Sequence, residues 1–77
     1  WYQIMNNKAS KKTPNIGANI KKTRQALGVS QDRLSKLADL SLNTVVNVES
    51  GQNPNPTIDT LSKIAKGLNV SVDDLIK

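Results

Sequence analysis

From residue 14 onward, apolar residues recur three and four positions apart, and strict alternation is almost absent. That period marks helices with one buried face, because strands would alternate every second residue. Capping residues and stop signals frame the runs, so five helices can be delimited. The first covers residues 14–27, with Thr13 as N-cap and Pro14 at the first helical position. Ile16, Ile20 and Leu27 share its stripe, Thr23 lies between them, and Gly28 ends it. The second covers 31–38, with Ser30 as N-cap and Leu34, Leu37 and Ala38 inward. The third covers 41–50, with Ser41 as N-cap and Gly51 as the stop. The fourth covers 58–67, with Thr57 as N-cap and Leu61, Ile64, Ala65 and Leu68 inward. The fifth begins at Ser71, which makes a capping box with Asp74 in place of the usual Glu. Val72, Leu75 and Ile76 then close the core. The fold class is all-α, a compact five-helix bundle.

Seventy-seven residues suit one domain with a modest core and a marginal net stability. Residues 1–13 lack periodicity and are polar and basic, so they read as a flexible tail ahead of a domain over 14–77. The only Met is Met5, which could be the native start. Trp1 and Tyr2 are the only aromatics and both lie in the tail, so the core has to be aliphatic. The chain has neither Cys nor His. Disulfides and thiolate metal sites are excluded, and the commonest general base and metal ligand is missing. No catalytic residue, cofactor or metal is expected, and the chain is not read as an enzyme. The lack of disulfides fits a reducing, cytoplasmic setting. No apolar run approaches membrane-spanning length, and the tail has no amphipathic face for a membrane surface.

The formal charge of +5 is unevenly distributed. Residues 1–14 carry Lys8, Lys11 and Lys12 and no acid. Residues 15–40 carry Lys21, Lys22, Arg24, Arg33 and Lys36 against Asp32 and Asp39. Residues 41–77 carry Lys63, Lys66 and Lys77 against Glu49, Asp59, Asp73 and Asp74. A basic excess confined to one half favours a polyanionic partner, although it also serves solubility.

Only Asp39, Leu40 and Ser41 separate the second helix from the third. So short a link makes the two helices neighbours at a steep angle, the helix-turn-helix unit. Val45 and Val48 fall on one side of the third helix and can meet Leu34, Leu37 and Leu40. Leu42, Asn43, Val46 and Asn47 are left on the other. Amides and aliphatics suit the edge of a DNA base pair, since Asn can pair bidentately with adenine and an aliphatic can pack on the thymine methyl. A contact with a partner protein, or plain exposed surface, would use the same residues. After Gly51 the segment GQNPNPT is an extended loop stiffened by its two prolines.

Residues 16–76, IGANIKKTRQALGVSQDRLSKLADLSLNTVVNVESGQNPNPTIDTLSKIAKGLNVSVDDLI, resemble the lambda-repressor-like helix-turn-helix family, the Cro/C1 or Xre type of regulator. The matching features are Ile16-Gly17, Ile20 and Arg24, then Leu27 to Gln31, Leu34 and Ala38. Thr44-Val45, Glu49-Ser50-Gly51, Pro56, Leu61, Ile64-Ala65, Leu68 and Val70-Ser71 follow in order. No single match is specific, but the ordered set at this spacing is. Two departures stand out: Ser35 where the family often has Ala, and Val46 where many relatives have a polar residue. Val46 bears on base preference.

The resemblance implies that the third helix is the recognition helix, lying in the major groove. Leu42, Asn43, Val46 and Asn47 are then expected at base edges, with Thr44 reaching a base or a phosphate. It also implies a backbone-contacting set. Ser30 and Gln31 stand at one helix N-terminus and Ser41 at the next, while Gln52, Asn53, Asn55 and Thr57 line the loop and the fourth helix's start. Lys21 and Lys22, with Lys11 and Lys12 of the tail, are candidates to supply the charge that this neutral loop lacks. Arg24 and Glu49 match a structural ion pair that sets the recognition helix's angle and could aim Arg24 at a phosphate.

The expected function is therefore sequence-specific binding of double-stranded DNA as a prokaryotic or phage transcriptional regulator, most simply a repressor. A homodimer on a twofold-symmetric operator is the implied assembly. Close alternatives are a DNA-binding antitoxin with a toxin partner, or the controller of a restriction–modification system. A protein-interaction module that kept the fold and lost DNA binding is a further one.

Overall fold

A computed structural model describes residues 15–76. The basic tail, the Thr13–Pro14 cap and Lys77 lie outside the described residues. Five α-helices follow one another: α1 Ile16–Ala26, α2 Gln31–Ala38, α3 Leu42–Ser50, α4 Ile58–Leu68 and α5 Val72–Ile76. Strands are absent among the described residues. The hydroxyl caps explain where the helices begin. Ser30, Ser41 and Thr57 accept the backbone N–H of Arg33, Thr44 and Thr60 at 3.0–3.1 Å. Each thereby satisfies one of the donors left open in the first turn. Ser71 and Asp74 close a reciprocal box, with Asp74 N–H on Ser71 Oγ and Ser71 N–H on Asp74 Oδ2. The first helix departs from expectation: it begins at Ile16, and its cap is Asn15, whose Oδ1 accepts from Ala18 N–H at 3.1 Å.

Three of the helix ends share one design. Gly28, Asp39 and Asn69 adopt left-handed backbone conformations after α1, α2 and α4. The next residue's N–H reaches back five positions: Val29 to Arg24 O, Leu40 to Ser35 O and Val70 to Ala65 O, at 2.9–3.1 Å. This is the Schellman closure, and its apolar follower turns inward. Val29, Leu40 and Val70 all pack against the core. Asp39 is thus the sharp corner between α2 and α3, a conformation that Asp tolerates better than most residues.

The core is aliphatic, built on Ile20, Leu34, Val45, Val48, Ile64 and Leu75 with Ala38, Leu61, Ala65 and Leu68. The main packings are α2 on α4, α3 on both α1 and α2, and α5 on α1 and α4. Two close backbone approaches set the frame. A Cβ on Gly17 would overlap the Val48 carbonyl oxygen and lie 2.9 Å from that of Glu49, so α1 rests directly on the end of α3. A Cβ on Gly67 would lie 3.2–3.3 Å from Ala38 N and Leu37 C, so α4 presses on the end of α2. Asn19 Nδ2 donates to Leu75 O at 2.9 Å and ties α5 to α1.

Three residues expected inside are instead exposed. Leu27 is 54% exposed, because the buried stripe of α1 runs through Gly17, Ile20 and Arg24, and the helix ends at Ala26. Leu37 is 47% exposed, because α2 turns Leu34, Ser35 and Ala38 inward. Ser35 takes the position beside Leu34 and donates its hydroxyl to Asp32 O at 2.6 Å. Ile76 points outward because Leu75, one residue back, fills the last core position.

Candidate nucleic-acid interface

The third helix is held from three sides. Val45 and Val48 are buried between α1 and α2, Gly17 admits the α1 backbone against its last turn, and Glu49 is clamped. Arg24 reaches across from α1 with Nε on Glu49 Oε2 at 2.7 Å and Nη2 on Oε1 at 3.1 Å, a bidentate charge-assisted pair. Arg24 Nη1 donates to Val29 O at 2.7 Å. The two side chains are only 10% and 2% exposed. Arg24 is therefore committed to the frame, its guanidinium held by Glu49 and Val29 O.

Gln31 joins the same cluster, its Nε2 donating to Glu49 Oε1 at 3.1 Å. Its other amide atoms remain at the half-buried start of α2. One carboxylate thus links α1, the start of α2 and the end of α3. The charges of Arg24 and Glu49 cancel where they lie, and Glu49 contributes nothing to the outer face of its own helix.

That outer face carries Leu42, Asn43 and Val46 exposed and Asn47 half-buried. The two asparagine side chains make no hydrogen bond with the described residues. Thr44 differs: it is half-buried and its Oγ1 lies 2.8 Å from Ser41 Oγ, so it belongs to the cap at least as much as to the face. At the far end, Asn53 N–H donates to Asn47 O at 3.0 Å and Ser50 Oγ to the same oxygen at 3.2 Å. These bonds fold the loop back over the last turn of α3. Gln52, Asn53 and Asn55 are exposed along that loop, and Thr57 is exposed at the start of α4. Ser30, Ser41 and Thr57 all spend their hydroxyl oxygens on capping. Helix first turns leave further N–H groups without an intrahelical acceptor, and such termini can bind anions.

The cations lie elsewhere. No Lys or Arg occurs between Lys36 and Lys63. Lys21 and Lys22 are exposed on α1 and Arg33 on α2. Lys36 pairs with Asp32 at 2.9 Å and Lys63 with Asp59 at 3.7 Å, both exposed pairs within one helix. A cleft of about 420 Å³ opens between Asn15 to Gly17, Val48, Gly51, Pro54 and Asn55. Among the expected site residues only Asn55 lines it, so the cleft sits beside the α3 face rather than on it. Among the described residues no helix is long and apolar enough to cross a membrane.

The exposed side of α3 and its anchors, Val45, Val48 and the Arg24–Glu49 pair, are legible in the sequence, but two parts of the frame are not. Gly17 was visible only as a motif residue, and nothing local signalled that Gln31 shares the Glu49 carboxylate.

Comparisons with known proteins agree with this geometry. A family model described as helix-turn-helix matches residues 20–75. The restriction–modification controller protein C.AhdI from Aeromonas hydrophila superposes with a TM-score of 0.77 at 31% identity, over 80% of this chain and 92% of that one. SinR, the master regulator for biofilm formation solved in complex with DNA, gives 0.75 at 33% identity, over 78% and 95%. A transcriptional regulator from Vibrio cholerae gives 0.76 at 34% identity, over 80% of this chain but 34% of its own. No curated protein sequence matches.

Proposed function

The chain belongs to the helix-turn-helix family of the Cro/C1 type, and on that premise we propose that it is a double-stranded DNA-binding transcription regulator, with α3 as the helix that enters the major groove. The family and the matched regulators are not enzymes. The observation that carries the reading is the division of α3 into two sides. Val45, Val48 and Glu49 are locked into the frame, while Leu42, Asn43 and Val46 are exposed and Asn47 half-buried on the other side. A rigid helix with an unpartnered face of amides and aliphatics has the reach and the chemistry of groove readout. Ser30, Gln31 and Ser41, with Gln52, Asn53, Asn55 and Thr57, flank that face as backbone contacts, and Lys21 and Lys22 add charge from α1. Residues 1–13 add Lys8, Lys11 and Lys12 in sequence ahead of this domain.

One such module covers few base pairs, so the active form is a homodimer on an operator of twofold symmetry. Repression is its simplest mode, by occupying DNA that polymerase needs. A role as controller of a restriction–modification system is the second reading, supported by the likeness to C.AhdI.

The test is fluorescence anisotropy with a labelled random duplex over a salt series. A regulator of this kind binds at low salt, and log K falls linearly with log salt at a slope of about −0.9 per phosphate neutralised. Salt-independent binding or none would remove the reading in favour of a protein-interaction module.

A further inference from the structure

The face that α3 offers to a duplex is uncharged. The helix's only ionisable side chain, that of Glu49, is 2% exposed and spent on Arg24 and Gln31. No cation stands on the loop that follows, as none occurs between Lys36 and Lys63. In the major groove, guanine is read chiefly by Arg or Lys on O6 and N7, and cytosine by a carboxylate that accepts from N4. This face holds neither group.

What it holds are two short ridges. Leu42 and Val46, four residues apart and 43% and 37% exposed, form an apolar one. Asn43 and Asn47 form an amide one, a single residue further round. Four residues of helix rise about 6 Å, and base pairs stack about 3.4 Å apart, so the two members of a ridge meet different base pairs. An asparagine amide matches adenine N6 and N7, and the thymine methyl is the apolar feature of the groove. An exposed aliphatic gains by covering that methyl and gains nothing from a guanine or cytosine edge.

Building on the DNA-binding reading above, we infer that the half-site core under α3 consists of A·T pairs. Leu42 and Val46 are the residues that detect thymine methyls, and Asn43 and Asn47 those that bind adenine. Val46, 37% exposed on that face, makes the methyl contact a specificity determinant of this chain.

The experiment selects bound sites from random duplexes with the 77-residue chain, then replaces each thymine of the selected half-site by deoxyuridine, which deletes only the methyl. The expected result is an A·T core and an affinity loss of about fourfold at one or more thymines, the factor for one apolar carbon returned to water. Leu42→Ala or Val46→Ala, both exposed and so compatible with folding, should abolish the deoxyuridine effect at the position each one covers, with the helical circular dichroism retained. A G·C core, or an A·T core indifferent to deoxyuridine throughout, overturns the inference, while salt-dependent binding to random duplex would keep the regulator reading standing. Absence of binding to every duplex at low salt overturns both.

Discussion

Replacing Glu49 by alanine removes three hydrogen bonds at once, two from Arg24 and one from Gln31. It also leaves the Arg24 guanidinium, in a residue 8% exposed, with Val29 O as its remaining described partner. Removing one partner of a buried, hydrogen-bonded pair costs about 3–5 kcal/mol, because the survivor is a charge out of water. An exposed pair would cost less than about 1 kcal/mol. For the 62 described residues a total stability of roughly 3–9 kcal/mol is typical, so this one change takes much or all of it. Urea unfolding followed by helical circular dichroism measures the loss. With a slope of about 1 kcal/mol per molar for so small a chain, the midpoint should fall by about 3–5 M, or the variant should be unfolded in buffer. Arg24→Met combined with Glu49→Leu removes both charges and should recover at least about 2 kcal/mol relative to the sum of the single changes. Single changes costing under about 1 kcal/mol each, with no coupling between them, would refute the claim that this buried pair holds α3 in place.

Gly17→Ala should destabilise the fold by about 1–3 kcal/mol, since its Cβ meets the Val48 carbonyl, a backbone atom that cannot swing aside; thermal unfolding reads this. Ser41→Ala should cost about 1 kcal/mol through the lost cap on Thr44 N–H, read by urea unfolding. Changing Lys21 and Lys22 together to Gln should make the salt slope of duplex binding shallower by up to about 1.8, two phosphates' worth, whereas alanines at Gln52 and Asn53 should weaken binding and leave the slope unchanged.

Where a helix starts was legible because a hydroxyl ahead of an apolar period has few other uses, and Ser30, Ser41, Thr57 and Ser71 all cap as read. The five-helix order and the outward side of α3 followed from the apolar periodicity, whereas the family resemblance rested on the ordered set of residues from Ile16-Gly17 to Val70-Ser71. Leu27, Leu37 and Ile76 were placed inside because a helical wheel gives the direction of a side chain and not whether a neighbour stands there. In α2 the neighbour is α4, which comes close at Gly67 to Leu34 and to the backbone of Leu37 and Ala38, while Ser35 and not Leu37 is the buried residue. The start of α1 was read two residues early because Thr13-Pro14 is a good signal that competes with Asn15. The Glu49 cluster joins residues 18 and 25 positions apart, and no local pattern encodes which acceptor Gln31 will find.

The central claim is that the free side of α3 reads bases while its other side is structural. The most direct measurement is the ratio of affinities for a selected operator and for random duplex, in the parent chain and in Asn43→Ala and Asn47→Ala, with folding checked by circular dichroism. The account predicts a ratio reduced about 5- to 150-fold in each folded variant, as one bidentate contact is lost, and a much smaller change in random-duplex affinity. A ratio that stays at the parent value in both folded variants would contradict it.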